Sequence, residues 1–268
     1  MPKIISNNIS LYYKTTGTGY PIILISGCNG DHQSVWPDSV VDTLAKHFQV
    51  IQFDNRGVGQ SDQPDIPYSI EMMADDTAGL MQALQIEKAH LIGYSMGGQI
   101  AAIFAEKYPD KISKMIACVS YANINTHIRL FGETLLELYE LNVAESIIEK
   151  IGLPWSFSNQ FLEKNYASLI QQHEPKPKSL VGFKRQFAAQ CAFISEAECF
   201  KNIKVPTLFI AGDEDMVCPP ADVKKFADLI PGSKMMVFPE AGHLLSLEHP
   251  KKFAQVIYDF LTAPHDFN

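Results

Sequence analysis

Short apolar runs alternate with longer stretches of helical period along this chain. Residues 22–26 (IILIS), 50–53 (VIQF), 90–93 (HLIG), 115–119 (MIACV), 207–211 (TLFIA) and 235–238 (MMVF) are nearly unbroken in their apolar character, as strands buried on both faces of a sheet must be. Between them the apolar positions recur at helical spacing over 39–47, 70–84, 96–107, 221–229 and 250–261. This order predicts an α/β protein built on a mostly parallel sheet. Ahead of it, residues 9–14 (ISLYYK) run into Thr16-Gly17-Thr18-Gly19, which predicts an antiparallel pair closed by a turn.

One stretch breaks the alternation. From 125 to 193 no strand-like run occurs, and Leu130, Leu135, Leu138, Leu141, Ile147, Ile148 and Ile151 recur at helical spacing, punctuated by Pro154, Pro175 and Pro177. A helical insertion between two sheet strands is expected over the carboxyl edge of the sheet, where open α/β sheets bind ligands. The chain therefore divides into a core over 1–124, a helical cap over 125–195 and the rest of the core over 196–268.

Composition narrows the function. The 268 residues are 46% hydrophobic and 19% charged, enough for a large core without a disulfide or metal staple. With 22 basic against 30 acidic side chains the net charge is −8, and the only arginines are Arg56, Arg129 and Arg185. That balance excludes a nucleic-acid partner, which needs a basic stripe to neutralise phosphates. The five cysteines are odd in number and form no C-x-x-C pair; they read as reduced thiols of a cytoplasmic protein. No apolar run reaches the length of a membrane span and residues 1–10 lack a signal-peptide core, so no membrane partner is expected.

The chemistry concentrates at Gly93-Tyr94-Ser95-Met96-Gly97, directly after the run at 90–93 and directly before a helical segment. Strand, sharp turn and helix around G-x-S-x-G make a nucleophile elbow, whose glycines are needed because neighbouring backbone approaches the strained serine closely. A serine hydroxyl needs a base within hydrogen-bond reach and a carboxylate to orient that base. Downstream, Asp213, Glu214 and Asp215 follow one strand and His243 follows the next, in the chain order Ser, acid, His. Asp215 is favoured, since it stands just before the segment that closes the loop, with Asp213 as the second choice. The oxyanion formed by attack needs backbone donors. Met96, next to the nucleophile, supplies one, and the loop Ser26-Gly27-Cys28-Asn29-Gly30 supplies the other through Cys28. Its thiol is expected to be a bystander. No metal-ligand spacing such as H-E-x-x-H is present, and no cofactor is called for.

These residues resemble the α/β-hydrolase superfamily, in particular its cap-bearing members, over nearly the whole chain. Asp54-Asn55-Arg56-Gly57-Val58-Gly59-Gln60-Ser61 is similar to the D-x-R-G-x-G-x-S turn of that family, where the turn is structural; Arg56 is accordingly expected to hold the fold together. The resemblance implies an eight-stranded sheet flanked by helices, and a serine hydrolase similar to 3-oxoadipate enol-lactonases and small carboxylesterases. Its substrate is then a small ester or lactone cleaved through an acyl-enzyme. Carbon–carbon bond hydrolases and cofactor-free perhydrolases share the triad, and a small-molecule receptor on a hydrolase scaffold is a further alternative. Ser26-Gly27 departs from the His-Gly common at the start of the oxyanion loop. Cap aromatics, with Trp155, Phe157 and Phe187 foremost, are expected to line an acyl pocket. A dicarboxylate substrate would call on Arg129, Arg185 or a cap lysine.

Overall fold

A computed structural model describes residues 2–171, 179–194 and 197–264. The boundary expected at 195–196, the ends of the chain at residue 1 and beyond 264, and Pro175 and Pro177 lie outside the described residues. The framework is an eight-stranded sheet in the order β1-β2-β4-β3-β5-β6-β7-β8. Its middle consists of β3 (Tyr20–Ile25), β4 (Phe48–Phe53), β5 (Ala89–Tyr94), β6 (Ile112–Cys118) and β7 (Thr207–Gly212), all parallel to one another. Every residue of β5 and β7 is buried, which explains the unbroken apolar runs. Helices α1 (Asp38–Leu44), α2 (Ile70–Ala83) and α3 (Met96–Lys107) cross between these strands.

Two sequence expectations need correction. The strand β2 (Ile9–Thr16) does not pair with β3 through the glycine turn. It pairs antiparallel with β1 (Lys3–Ser6) on one side and with β4 on the other. The β1–β2 turn is Asn7-Asn8, both with positive φ (47° and 63°), the backbone that a two-residue hairpin demands and that asparagine tolerates. The last strand, β8 (Lys234–Phe238), is also not buried on both faces. It is the sheet's edge, and Met236 and Val237 are exposed.

The register aligns the carboxyl ends of the strands. Ile25 lies beside Gly93, Gly93 beside Ala117, Cys118 beside Ile210, and Gly212 beside Phe238. The loops that follow β3, β5, β6, β7 and β8 therefore emerge along one edge. Over that edge stand α4 (Thr126–Glu140), α5 (Glu145–Ser156), α6 (Asn159–Gln171) and α7 (Leu180–Ala192), inserted between β6 and β7 and forming a cap. After α8 (Ala197–Phe200), the core resumes with β7, then α9 (Pro220–Ala227), β8, α10 (Leu245–Glu248) and α11 (Pro250–Thr262).

Helix α7 rests on the turn after β4. A Cβ on Gly182 would stand 1.7 Å from the carbonyl oxygen of Gly57, so only glycine fits that crossing. One turn along α7, Gln186 donates to the Arg56 carbonyl (2.7 Å) and accepts from the Asn29 amide (2.7 Å). Arg56 itself is buried, and its guanidinium grips Asp76 of α2 through Nε and Nη2 at 2.5 and 2.6 Å. The D-x-R-G turn thus joins β4, α2 and the cap.

The far end of the core carries a second buried cation. Lys114 of β6 donates to the carbonyls of Phe260, Leu261 and Ala263 at 3.0, 3.0 and 2.6 Å, neutralising the negative end of α11. Lys114→Met is expected to strand these buried acceptors and to lower stability by about 1–3 kcal/mol. Chemical denaturation checks this, and an unchanged midpoint would refute the cap role.

Candidate active site

Ser95 stands alone between the last residue of β5 and the first of α3, at φ 54° and ψ −119°. That is an unfavourable backbone for a residue with a side chain. It is held by the Ser95 amide donating to Cys118 (2.8 Å) and by Gly98 donating to the Ser95 carbonyl (2.9 Å). A Cβ on Gly93 would stand 2.0 Å from the Gly97 oxygen, and one on Gly97 would stand 2.2 Å from the Ile25 oxygen, which accounts for the two glycines of the elbow in turn. Because α3 begins at Met96, the Met96 amide is one of the first-turn donors that have no acceptor within their own helix.

Ser95 and His243 line one cavity of about 410 Å³, lying between the carboxyl edge of the sheet and the cap. His243 lies in the loop between β8 and α10, and its Nδ1 is 2.8 Å from Oδ2 of Asp215. The Asp215 side chain is fully buried, and its other oxygen accepts from the Val217 and Cys218 amides, both at 2.8 Å. A carboxylate occupied in this way accepts from Nδ1–H and leaves Nε2 as the basic nitrogen. Tyr94, one residue before the nucleophile, donates to the His243 carbonyl at 2.6 Å and steadies the loop.

The three acids of the β7 loop have separate tasks. Asp213 accepts from the Ala241 amide (3.2 Å) and Glu214 from the Asn159 amide (2.8 Å); Asp215 takes the imidazole. Glu248 of α10 complements Glu214. One of its oxygens accepts from Gly242, adjacent to His243, at 2.8 Å, and the other accepts from the Ser158 amide (3.2 Å) and hydroxyl. Leu244 donates to Ser156 at 2.7 Å. The start of α6 is therefore clamped between the acid loop and the histidine loop by two carboxylates, at the end where its dipole favours negative charge. Neither glutamate stood out in the sequence as a partner of the cap. Glu248→Ala is expected to lower kcat about tenfold and to raise hydrogen exchange at residues 156–161, because it frees two amides on opposite sides of the joint. Exchange unchanged there would refute the clamp.

On the opposite side, Gly27 and Cys28 line the cavity with Ser95. Ser26 organises their loop, its hydroxyl donating to the Asp31 carbonyl (2.9 Å) and accepting from the Trp36 indole (3.1 Å). All five cysteines are free thiols. Burial pushes the Cys28 and Cys218 thiols up from their ordinary values, with the Asp215 charge adding to the effect at Cys218; neither is poised as a thiolate nucleophile.

The cap residues divide. Phe187 lines the cavity, together with Phe131 and Phe183. Trp155 and Phe157 do not line it, contrary to the sequence expectation. Trp155 stacks on Phe131, with ring centroids 4.3 Å apart, and faces a shallow groove beside Leu130 and Thr134. Phe157 stacks on Phe161 at 4.9 Å. Periodicity placed these rings in the cap but not on its inner face. The arginines are also engaged elsewhere, Arg185 with Asp65 and Arg129 with the Cys191 carbonyl. Among the described residues lining the cavity none is Lys, Arg, Asp or Glu. Among the described residues, too, no three His, Cys, Asp or Glu side chains are grouped to hold a metal ion, and no helix is long and apolar enough to cross a membrane.

Comparison with known proteins agrees with this architecture. Residues 20–250 match the family model described as the alpha/beta hydrolase fold. The chain is 28% identical over 271 residues to the 2-hydroxymuconate semialdehyde hydrolase of Pseudomonas sp. strain CF600, covering 97% of this chain and 93% of that protein. Among solved structures it is similar to a thermophilic esterase from Thermogutta terrifontis, with a TM-score of 0.84, 28% identity and 97% of each chain covered. It is also similar to the enol-lactonase from Burkholderia xenovorans LB400, with a TM-score of 0.84, 27% identity and 98% and 100% of the two chains covered. Elbow, sheet order and family match converge, and the chain belongs to the alpha/beta hydrolase fold family.

Proposed function

We propose that this hydrolase cleaves a small carboxylic ester or lactone through a covalent acyl-enzyme. The observation that carries the proposal is the strained Ser95 in a cavity shared with His243, whose ring is oriented by buried Asp215. Ser95 Oγ attacks the carbonyl carbon while Nε2 of His243 takes the hydroxyl proton. The amides of Met96 and Cys28 stabilise the oxyanion. Collapse of the tetrahedral adduct expels the alcohol, which leaves with the proton from His243. Water, deprotonated by the same imidazole, then releases the acid and regenerates Ser95. In a lactone the alcohol and the acid are two ends of one product.

The likeness to an esterase and to an enol-lactonase supports ester chemistry. The expected result with a fluorophosphonate probe is stoichiometric labelling of the peptide carrying Ser95, together with turnover of short 4-nitrophenyl esters above about one per second, the lower end of ordinary enzyme rates. Labelling without turnover would favour a receptor. Faster cleavage of a vinylogous diketone than of any ester would move the chemistry to a carbon–carbon bond.

A further inference from the structure

The cavity wall carries a polar group that the chemistry at Ser95 does not use. Tyr121, three residues past the end of β6, and Gln190 of α7 both line the cavity among apolar neighbours, and both are buried. Their protons can be assigned from the chain outward. The main-chain carbonyl of Tyr121 can only accept, so Gln99 of α3, 3.2 Å away, presents its Nε2 to it. Gln99 Oε1 then faces Gln190, which must present its own Nε2 (3.4 Å), and the same nitrogen donates to the Tyr121 hydroxyl at 3.2 Å. The Tyr121 oxygen is thereby an acceptor from the protein, and among the described residues its own O–H remains to be donated. Burial holds the phenol protonated by raising its pKa well above the ordinary value. A buried donor is costly to leave unmade.

We infer that Tyr121, held by Gln190, donates a hydrogen bond to a second, uncharged oxygen of the substrate, so that the substrate class is a neutral ester or lactone carrying a further ketone or amide carbonyl. This rests on the hydrolase assignment above and narrows it. Charge is excluded by the lining, which among the described residues holds no Lys, Arg, Asp or Glu side chain. A substrate carboxylate brought there would be desolvated without a cationic partner. Phe131, Phe183 and Phe187 surround the remaining acyl chain.

The test is a set of 4-nitrophenyl esters of equal acyl length: unsubstituted, with one ketone at each successive interior carbon, and ending in a carboxylate. The expected result is a kcat/KM about tenfold higher for one keto ester than for the plain ester, and about tenfold lower for the carboxylate ester. In Tyr121→Phe the keto-to-plain ratio is expected to fall to about one; taken as a ratio, it is insensitive to any general loss of activity. No keto preference in the wild-type protein, a ratio unchanged in Tyr121→Phe, or a carboxylate ester matching the keto ester would overturn the inference. Calorimetry with Ser95→Ala and the corresponding amides reads the same preference without turnover, and equal dissociation constants would overturn the inference by that route. Failure of the hydrolase assignment has a different signature, namely no turnover and no fluorophosphonate labelling with the binding preference intact.

Discussion

Ser95→Ala is expected to lower kcat/KM for 4-nitrophenyl esters by at least about 10⁴-fold and to abolish fluorophosphonate labelling, while the thermal midpoint stays within a few degrees of the wild type. The size of the effect follows from what the side chain supplies. Without Oγ no acyl-enzyme forms, and what remains is the positioning and oxyanion stabilisation that the cavity offers to water. Stability should hardly change, because the backbone at φ 54° and its two hydrogen bonds to Cys118 and Gly98 are main-chain features. The Oγ contributes to neither. Retention of more than a few per cent of activity in material free of wild-type enzyme would rule out Ser95 as the nucleophile.

The second large effect belongs to Asp215→Asn, expected to reduce kcat about 10⁴-fold. An amide at this position keeps the shape but reverses the bonding. The Val217 and Cys218 amides occupy one oxygen of Asp215, so an asparagine would keep its oxygen there and turn its NH₂ toward His243. The imidazole would then accept at Nδ1 and carry its proton on Nε2, the nitrogen that must receive the serine proton. Asp213→Asn is the internal control. Its oxygen accepts from Ala241, a bond that asparagine also makes, and the loss should stay within about tenfold. Steady-state kinetics on the two variants decides between them: a severe loss in Asp213→Asn with activity kept in Asp215→Asn would transfer the role of acid to Asp213.

These two aspartates illustrate how much could be read in advance. The parallel strands were legible because burial on both faces imposes unbroken apolar runs, and the elbow because strain and crowding at one serine demand glycine on either side. Asp215 and His243 were legible as types in an order. The place of Asp215 just before the loop-closing segment favours it over Asp213 and Glu214, but the tasks of those two acids depend on which way each side chain turns, and that is set by partners far along the chain, Ala241 and Asn159. The same holds for the cap. Helical spacing located its apolar stripe, but whether Trp155 or Phe131 faces the cavity depends on how four helices pack, which leaves no periodic mark. Strand β1 escaped notice because its turn is Asn7-Asn8 and not a glycine pair, and its four residues are too few for a pattern.

The crossing of Gly182 over Gly57 bears on how new specificities can be built on this scaffold. Exchanging the cap for that of another family member is an attractive way to change the acyl pocket, and the crossing sets a condition on such chimaeras. A donor helix with any side chain at the Gly182 position would be held off the Gly57 turn, and a donor lacking the Gln186 amide would leave the Arg56 carbonyl and the Asn29 amide without their bridge. The transplant junction therefore belongs on the side of α4 to α6, with residues 182–186 kept from the recipient, so that the borrowed helices remodel the pocket while the contact that seats them stays native.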